Sequence, residues 1–152
     1  MTPRVSDRSV SQSPAKPATV APARRSIALG ENNPDLAALL ASLIDLQADL
    51  RCIGQASSCS QVLALHRQQP LDGWLLDLAL DDGSSLALLP TLRLERPGCV
   101  LLVVSGVVDA TLAKAALAQG ADAVLPKDGN LEALLTALRR QLSKHQQVIA
   151  PA

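Results

Sequence analysis

The chain has 152 residues, 48% of them apolar, with no Phe or Tyr and a single Trp, and its 14 basic and 14 acidic side chains cancel. That length suits one domain of ordinary size and leaves a second one crowded, while the shortage of rings excludes aromatic stacking platforms for nucleic acid. Residues 1–25 hold Arg4, Arg8, Lys16, Arg24 and Arg25 against Asp7, so the remainder carries nine basic and thirteen acidic residues and offers no basic DNA-binding face.

The first 25 residues contain Pro3, Pro14, Pro17 and Pro22. Their acid-poor, Arg- and Ser-containing character resembles an organelle transit peptide, but the prolines work against the amphipathic helix such a peptide needs. A disordered basic arm over 1–25 is expected. No apolar run approaches the roughly 18 residues that span a bilayer. Cys52, Cys59 and Cys99 are odd in number and lack CxxC spacing, which suits small buried thiols.

From Ser26 onward, short apolar runs alternate with helical patterns. "SIAL" at 26–29 predicts a strand; Asn33 then stands as a helix cap with Pro34 at the first helical position. Leu36, Leu39, Leu40 and Leu43 give that helix an apolar face. "LRCIGQ" at 50–55 predicts a second strand, and Ser58 begins a helix through about Gln68. "GWLLDL" at 73–78 is a continuously apolar run of the kind buried on both faces of a parallel sheet, broken only by its acid.

A third helix is expected from about Ser85 to Leu94, stopping before Pro97 and Gly98. "CVLLVV" at 99–104 has the β-branched content of a strand. A fourth helix runs from Asp109 to a Gly120 cap, "ADAVL" makes a fifth strand, and a last helix from Asn130 aligns Leu131, Leu134, Leu135, Leu138 and Leu142. The tail from 143 to 152 is expected to fray. Five strands alternating with five helices imply right-handed crossovers and a parallel sheet between helix layers, with ligands bound beyond the carboxyl ends of the strands.

Those ends carry Glu31 and Asn32 after the first strand, Asp77 in the third, Ser105 after the fourth and Lys127 after the fifth. Leu75, Leu76, Leu78 and Leu80 surround Asp77, so its carboxylate demands a cation or hydrogen-bond donors, and Lys127 is the available charge. Ser105 brings a hydroxyl, with Gly106 leaving room beside it for a tetrahedral group. Together these groups suit a divalent cation and a phosphoryl group, with an aspartate as nucleophile.

The order Glu31-Asn32, Asp77, Ser105, Lys127, at spacings of 46, 28 and 22 residues, resembles the receiver domain of bacterial two-component response regulators. "DGWLLDLALDDGSSLALL" resembles the family's phosphoacceptor strand and following loop, and "QGADAVLPKD" the segment around its lysine. The resemblance covers residues 26–142. It implies a flavodoxin-like α/β fold: a doubly wound, five-stranded parallel sheet of order 2-1-3-4-5 with five helices. It further implies phosphorylation of Asp77 by a histidine kinase or phosphotransfer protein, with Ser105 and Lys127 beside the phosphoryl group. Mg²⁺ would be held by Glu31, Asn32, Asp77 and the backbone carbonyl of Ala79. The implied protein is no ordinary enzyme but a bacterial cytoplasmic phosphoacceptor, able to catalyse its own phosphorylation and dephosphorylation. Its output would pass to a downstream protein through the face of the fourth helix, fifth strand and fifth helix, with no direct DNA or membrane binding and with dimerisation open.

The departures are as specific as the matches. Where the family usually has a second acid, this chain has Asn32, whose amide oxygen can ligate Mg²⁺ but brings no charge; Glu31 with Asp77 still meets the usual one or two carboxylates. Weaker metal binding at rest is therefore expected, with the phosphoryl oxygens completing the site. Val124 stands where the family often has an aromatic switch residue. Asp81 replaces a frequent proline and, with Asp82, adds negative charge after Asp77, either to deter phosphoryl donors or to help hold a cation. His66 and His145 have no partners at metal spacing and are taken as surface residues; Trp74 is taken as packing. The ten residues beyond Leu142 are too few for a helix-turn-helix module, so single-domain signalling by protein contact or phosphoryl relay is expected. The competing account is a degenerate receiver serving as a phosphorylation-independent interaction module. A nucleotide-binding enzyme lacks its G-x-G-x-x-G or P-loop.

Overall fold

A computed structural model of the chain describes residues 23–149, with side chains through residue 146. Strands β1 (Arg25–Gly30), β2 (Leu50–Ala56), β3 (Gly73–Asp77), β6 (Val100–Ser105) and β7 (Ala123–Pro126) form one parallel sheet in the order β2-β1-β3-β6-β7. This is the expected 2-1-3-4-5 order. Two further strands, β4 (Ala79–Leu80) and β5 (Gly83–Ser84), make a small antiparallel ribbon beyond the five expected strands. Its turn is Asp81-Asp82, and Gly83 takes a φ of 146° that a side chain would strain.

The helices are α1 (Pro34–Asp45), α2 (Cys59–Gln68), α3 (Leu89–Glu95), α4 (Ala110–Gln119) and α5 (Leu131–Ile149). Because successive residues of a strand point to opposite faces, the apolar runs feed two cores. Ile27, Leu29, Leu75 and Leu102 meet Ala41 and Ile44 of α1 and Leu138 and Leu142 of α5 on one face. Ala28, Trp74, Leu76 and Leu101 meet Val62 of α2, Leu89 and Leu92 of α3 and Ala116 of α4 on the other.

The helix signals operate as expected. Asn33 Oδ1 accepts from the N–H groups of Asp35 and Leu36, Ser58 Oγ from Gln61, and Asp109 Oδ1 from Leu112; Gly120 closes α4 at a φ of 120°. The helix expected over Ser85–Leu94 is instead a 3₁₀ turn (Ser85–Leu88) followed by α3. Pro90, in the first turn of α3, lacks the N–H that would have joined the two pieces.

The arm expected over 1–25 lies, for residues 1–22, outside the described residues. Its end is ordered: Arg25 opens β1, and Arg24 donates to the carbonyls of Leu50 and Asp45 at 2.7 and 2.6 Å. The expected fraying from residue 143 gives way to α5, which continues to Ile149. Residues 150–152 lie outside the described residues.

Both histidines correct the surface assignment. His66 is buried: its Nδ1 accepts from the Trp74 indole N–H at 3.0 Å, which leaves Nε2 to donate to the Leu92 carbonyl at 3.2 Å. His145 is half-buried, 2.7 Å from Asp122 Oδ1. Asp122 Oδ2 accepts from Arg93 and from the Leu101 N–H, and Arg93 also reaches the carbonyls of Cys99 and Gly120. This network ties α3, the starts of β6 and β7, the end of α4 and the late turns of α5 at the amino ends of the strands. Sequence spacing gives no sign of it, because the partners of Asp122 lie 21 to 29 residues from it.

The three cysteines are free; Cys99 is buried, its thiol pushed up to about 12 chiefly by desolvation, whereas Cys52 and Cys59 are only half-buried. Among the described residues no helix is long and apolar enough to cross a membrane.

Burial lowers the His66 pKa below its ordinary 6.5. The unfolded chain therefore takes up this proton more readily, so the His66 contribution to stability is full above about pH 6.5 and declines as pH falls through it. Urea unfolding between pH 7.5 and 5.5 should show that decline. His66→Gln, keeping an acceptor for Trp74, should lose about 1–2 kcal/mol at pH 7.5 and flatten the profile; an equally steep profile in the variant would assign the acid sensitivity elsewhere.

Candidate functional site

The site is built where β1, β3, β6 and β7 end. Gly30 lets β1 run close to its neighbour: a Cβ there would lie 2.8 Å from Leu76 Cδ2 and 3.3 Å from Val62 Cγ2. Glu31 extends the β1–β2 ladder by one bond, its N–H donating to Ala56 at 2.8 Å, and Lys127 extends β6–β7 likewise through the Ser105 carbonyl at 2.8 Å. Backbone pairing thus carries both charged side chains to the same sheet end as Asp77.

Lys127 Nζ stands 2.9 Å from Glu31 Oε1 and 2.9 Å from Asp77 Oδ2. Both carboxylates are buried, and one ammonium answers them together. Burial alone would lower the Lys127 pKa, but its hydrogen bonds to Asp77 and Glu31, with their charges, prevail and raise it above the ordinary lysine value. Glu31 has both oxygens engaged, since Oε2 accepts from the Asn33 N–H at 2.9 Å. Asp77 keeps one oxygen nearly free: among the described residues Oδ1 has only a long bond, 3.4 Å, from the Ala79 N–H.

The other predicted residues are placed around this triad without joining it. Ser105 ends β6, but its hydroxyl donates to the Val107 carbonyl at 2.8 Å and accepts from the Val107 N–H at 3.2 Å, closing a turn on its own loop. A Cβ on Gly106 would meet nothing within 4 Å, so the space beside Ser105 does not depend on that glycine. Asn32 is exposed, Ala79 is exposed on β4, and Val124 is half-buried against the α2–α4 core. On one flank, Leu36 and Leu40 of α1 and Leu131 and Leu134 of α5 line an apolar cavity below Lys127. On the other, Glu31, Asn32, Ser57, Gln61 and Asp81 line an open cleft.

The loop after Asp77 was only partly readable from sequence. Asp82 caps α2, its two carboxylate oxygens accepting from the N–H groups of Cys59 and Ser60. The Cys59 bond is the main cause of the lowered Asp82 pKa. The missing signal is geometric: a residue 23 positions downstream serves as a helix cap beside the local Ser58.

The fold and this geometry agree with what the chain is similar to. The family model described as the response regulator receiver domain matches residues 27–139. The chain belongs to the response-regulator receiver family. A receiver-domain protein (CheY-like) from Methanospirillum hungatei superposes with a TM-score of 0.75 at 20% identity, over 82% of this chain and 98% of that one. A response regulator from Burkholderia pseudomallei, solved with a phosphorylated aspartic acid, calcium ion and citrate, is 27% identical with a TM-score of 0.71, over 83% of this chain and 73% of that one. The protein-glutamate methylesterase/protein-glutamine glutaminase 3 of Anaeromyxobacter dehalogenans is 33% identical over 98 residues, 64% of this chain but only 29% of that protein. The chain thus spans less than a third of this curated relative.

The receiver geometry makes the shared ammonium a stability element. Lys127→Ala should cost about 1–3 kcal/mol in urea unfolding, because two facing carboxylates lose their counter-charge. Asp77→Asn in the same chain should recover part of that loss; strictly additive effects would show that the lysine does not act on Asp77.

Proposed function

We propose that this receiver accepts a phosphoryl group on Asp77 from a histidine kinase or phosphotransfer protein and signals through a change in protein contact. The observation that carries the reading is the Lys127 bridge between Glu31 and Asp77, which leaves Asp77 Oδ1 as the one weakly engaged carboxylate oxygen of the triad. In the transfer, that oxygen forms an O–P bond as the N–P bond of the donor phosphohistidine breaks. The electron pair returns to the imidazole nitrogen, which takes up a proton.

The donors around Asp77 fit Mg²⁺: they are all oxygens, with two carboxylates, an amide and a backbone carbonyl, as a hard cation prefers. Glu31, Asn32, Asp77 and the Ala79 carbonyl would hold it. Among the described residues no three His, Cys, Asp or Glu side chains form a metal cluster, so this reading requires phosphoryl oxygens to complete the site. A bound cation would supply charge neutralisation on those oxygens. Lys127 stays within reach of the phosphoryl group through its contact with Asp77 and gives it a second positive neighbour.

Ser105 is the residue with somewhere to go. Its hydroxyl is held by one residue of its own loop, and exchanging the Val107 carbonyl for a phosphoryl oxygen would pull that loop toward Asp77. Val107 and Val108 of that loop and Leu117 of α4 are exposed large apolar side chains. They support an output surface on α4, β7 and α5, where contact with a downstream protein would read the loop position. Cytoplasmic residence belongs to the same reading.

Trp74 provides the test, being fully buried three residues before Asp77. Mg²⁺ followed by beryllofluoride should change its fluorescence, and acetyl phosphate with Mg²⁺ should add one phosphoryl mass; Asp77→Asn should abolish both. A wild type silent in both assays would return the chain to the phosphorylation-independent interaction module. Ser105→Ala should retain phosphorylation within about threefold while losing most of the fluorescence change on beryllofluoride; an undiminished change would mean the hydroxyl does not move with the phosphoryl group.

A further inference from the structure

We propose that Asp81 supplies the negative charge that Asn32 withholds from the divalent-cation site, acting through water molecules held on the bound cation. The inference rests on the receiver reading above and concerns how this particular chain completes its metal site.

Asp81 and Asp82 are adjacent and chemically alike, but the structure separates them. Asp82 is committed to the start of α2 through both of its oxygens. The Asp81 carboxylate has no hydrogen-bond or ion-pair partner among the described residues, while its backbone N–H is fastened to the Ser57 carbonyl at 3.0 Å. The ribbon turn between β4 and β5, the Asp82 cap and the Ser57 bond thus hold the Asp81 backbone in place and leave its side chain to face solvent.

The face it takes is the relevant one. Asp81 lines the open cleft with Glu31 and Asn32, and Glu31 also lines the cavity that holds Asp77 and Lys127, so the cleft adjoins the Asp77 site. Lys127 is already shared by Glu31 and Asp77, and these three side chains sum to a single negative charge. Asp81 brings a second, matching a divalent cation, and brings it to the side where the amide replaces an acid. Mg²⁺ keeps several of its waters when bound by few carboxylates, so a carboxylate beyond direct reach still acts by accepting hydrogen bonds from those waters. Such outer partners are worth about 10–100-fold in metal affinity when rigidly held; an exposed Asp81 side chain should be worth less.

Calorimetric titration with MgCl₂ alone, free of any phosphodonor, tests this. Asp81→Asn should weaken binding about threefold to tenfold without changing the melting temperature, and the loss should persist in about 0.15 M KCl, where charges more than about 8 Å apart are screened. Transferring the acid, as Asn32→Asp with Asp81→Asn, should return affinity to within about twofold of wild type. Unchanged affinity in Asp81→Asn, a loss that vanishes already at about 0.15 M KCl, or a failed transfer would each overturn the role of Asp81. The receiver site itself is judged separately by Asp77→Asn: if that variant binds Mg²⁺ as tightly as wild type, the receiver-site reading fails, and if wild type binds no Mg²⁺, both proposals fail.

Discussion

The main sheet is parallel and covered by helices on both faces, and this constraint decides where charge can stand. A charged side chain in mid-strand would face an apolar helix layer, so strong polar groups collect at the two ends of the sheet. Glu31, Asp77 and Lys127 gather at the carboxyl ends, and Arg93, Asp122 and His145 at the amino ends. Both clusters draw their members from separate elements and so fasten the layers to one another. They differ in what is left over. The amino-end cluster satisfies Arg93 and Asp122 with several bonds each, whereas the carboxyl-end cluster leaves Asp77 Oδ1 loosely held and Ser105 turned on its own loop.

That contrast separates a brace from a reactive site. At the amino ends, Arg93 and Asp122 are anchored not only on each other but on backbone carbonyls and an N–H group that stay where the fold puts them. At the carboxyl ends, one lysine is shared by two carboxylates, an arrangement sensitive to whatever charge arrives beside it. The apolar cavity beneath Lys127 adds to this, since leucines on α1 and α5 leave space there instead of close packing.

Much of the fold was legible because local signals and long-range packing agreed. Asn33, Ser58, Asp109 and Gly120 mark helix ends by chemistry confined to a few residues, and the apolar runs of β3 and β6 announce burial on two faces. The site was legible in part for the same reason: strand ends are readable, so the acids and the lysine that follow them are too. What escaped depended on distant partners. Pro90 split one expected helix through a missing N–H, His66 went inside because Trp74 and Leu92 satisfy both its nitrogens, and α5 ran on because His145 finds Asp122. The division of labour between Asp81 and Asp82 is equally invisible in a two-letter string, since it depends on where α2 begins.

The sheet's outer strands also bear on how the molecule meets others. β7 is only four residues long and closes on Pro126, which has no N–H to offer, while β2 breaks register with β1 between Ile27 and Ala28 and exposes Arg51 and Gln55. Short length, proline, irregular pairing and charge each make a poor template for adding a strand. Recruitment by sheet extension is thus disfavoured at both borders, and a protein that binds this domain must recognise the relief of its helices and loops.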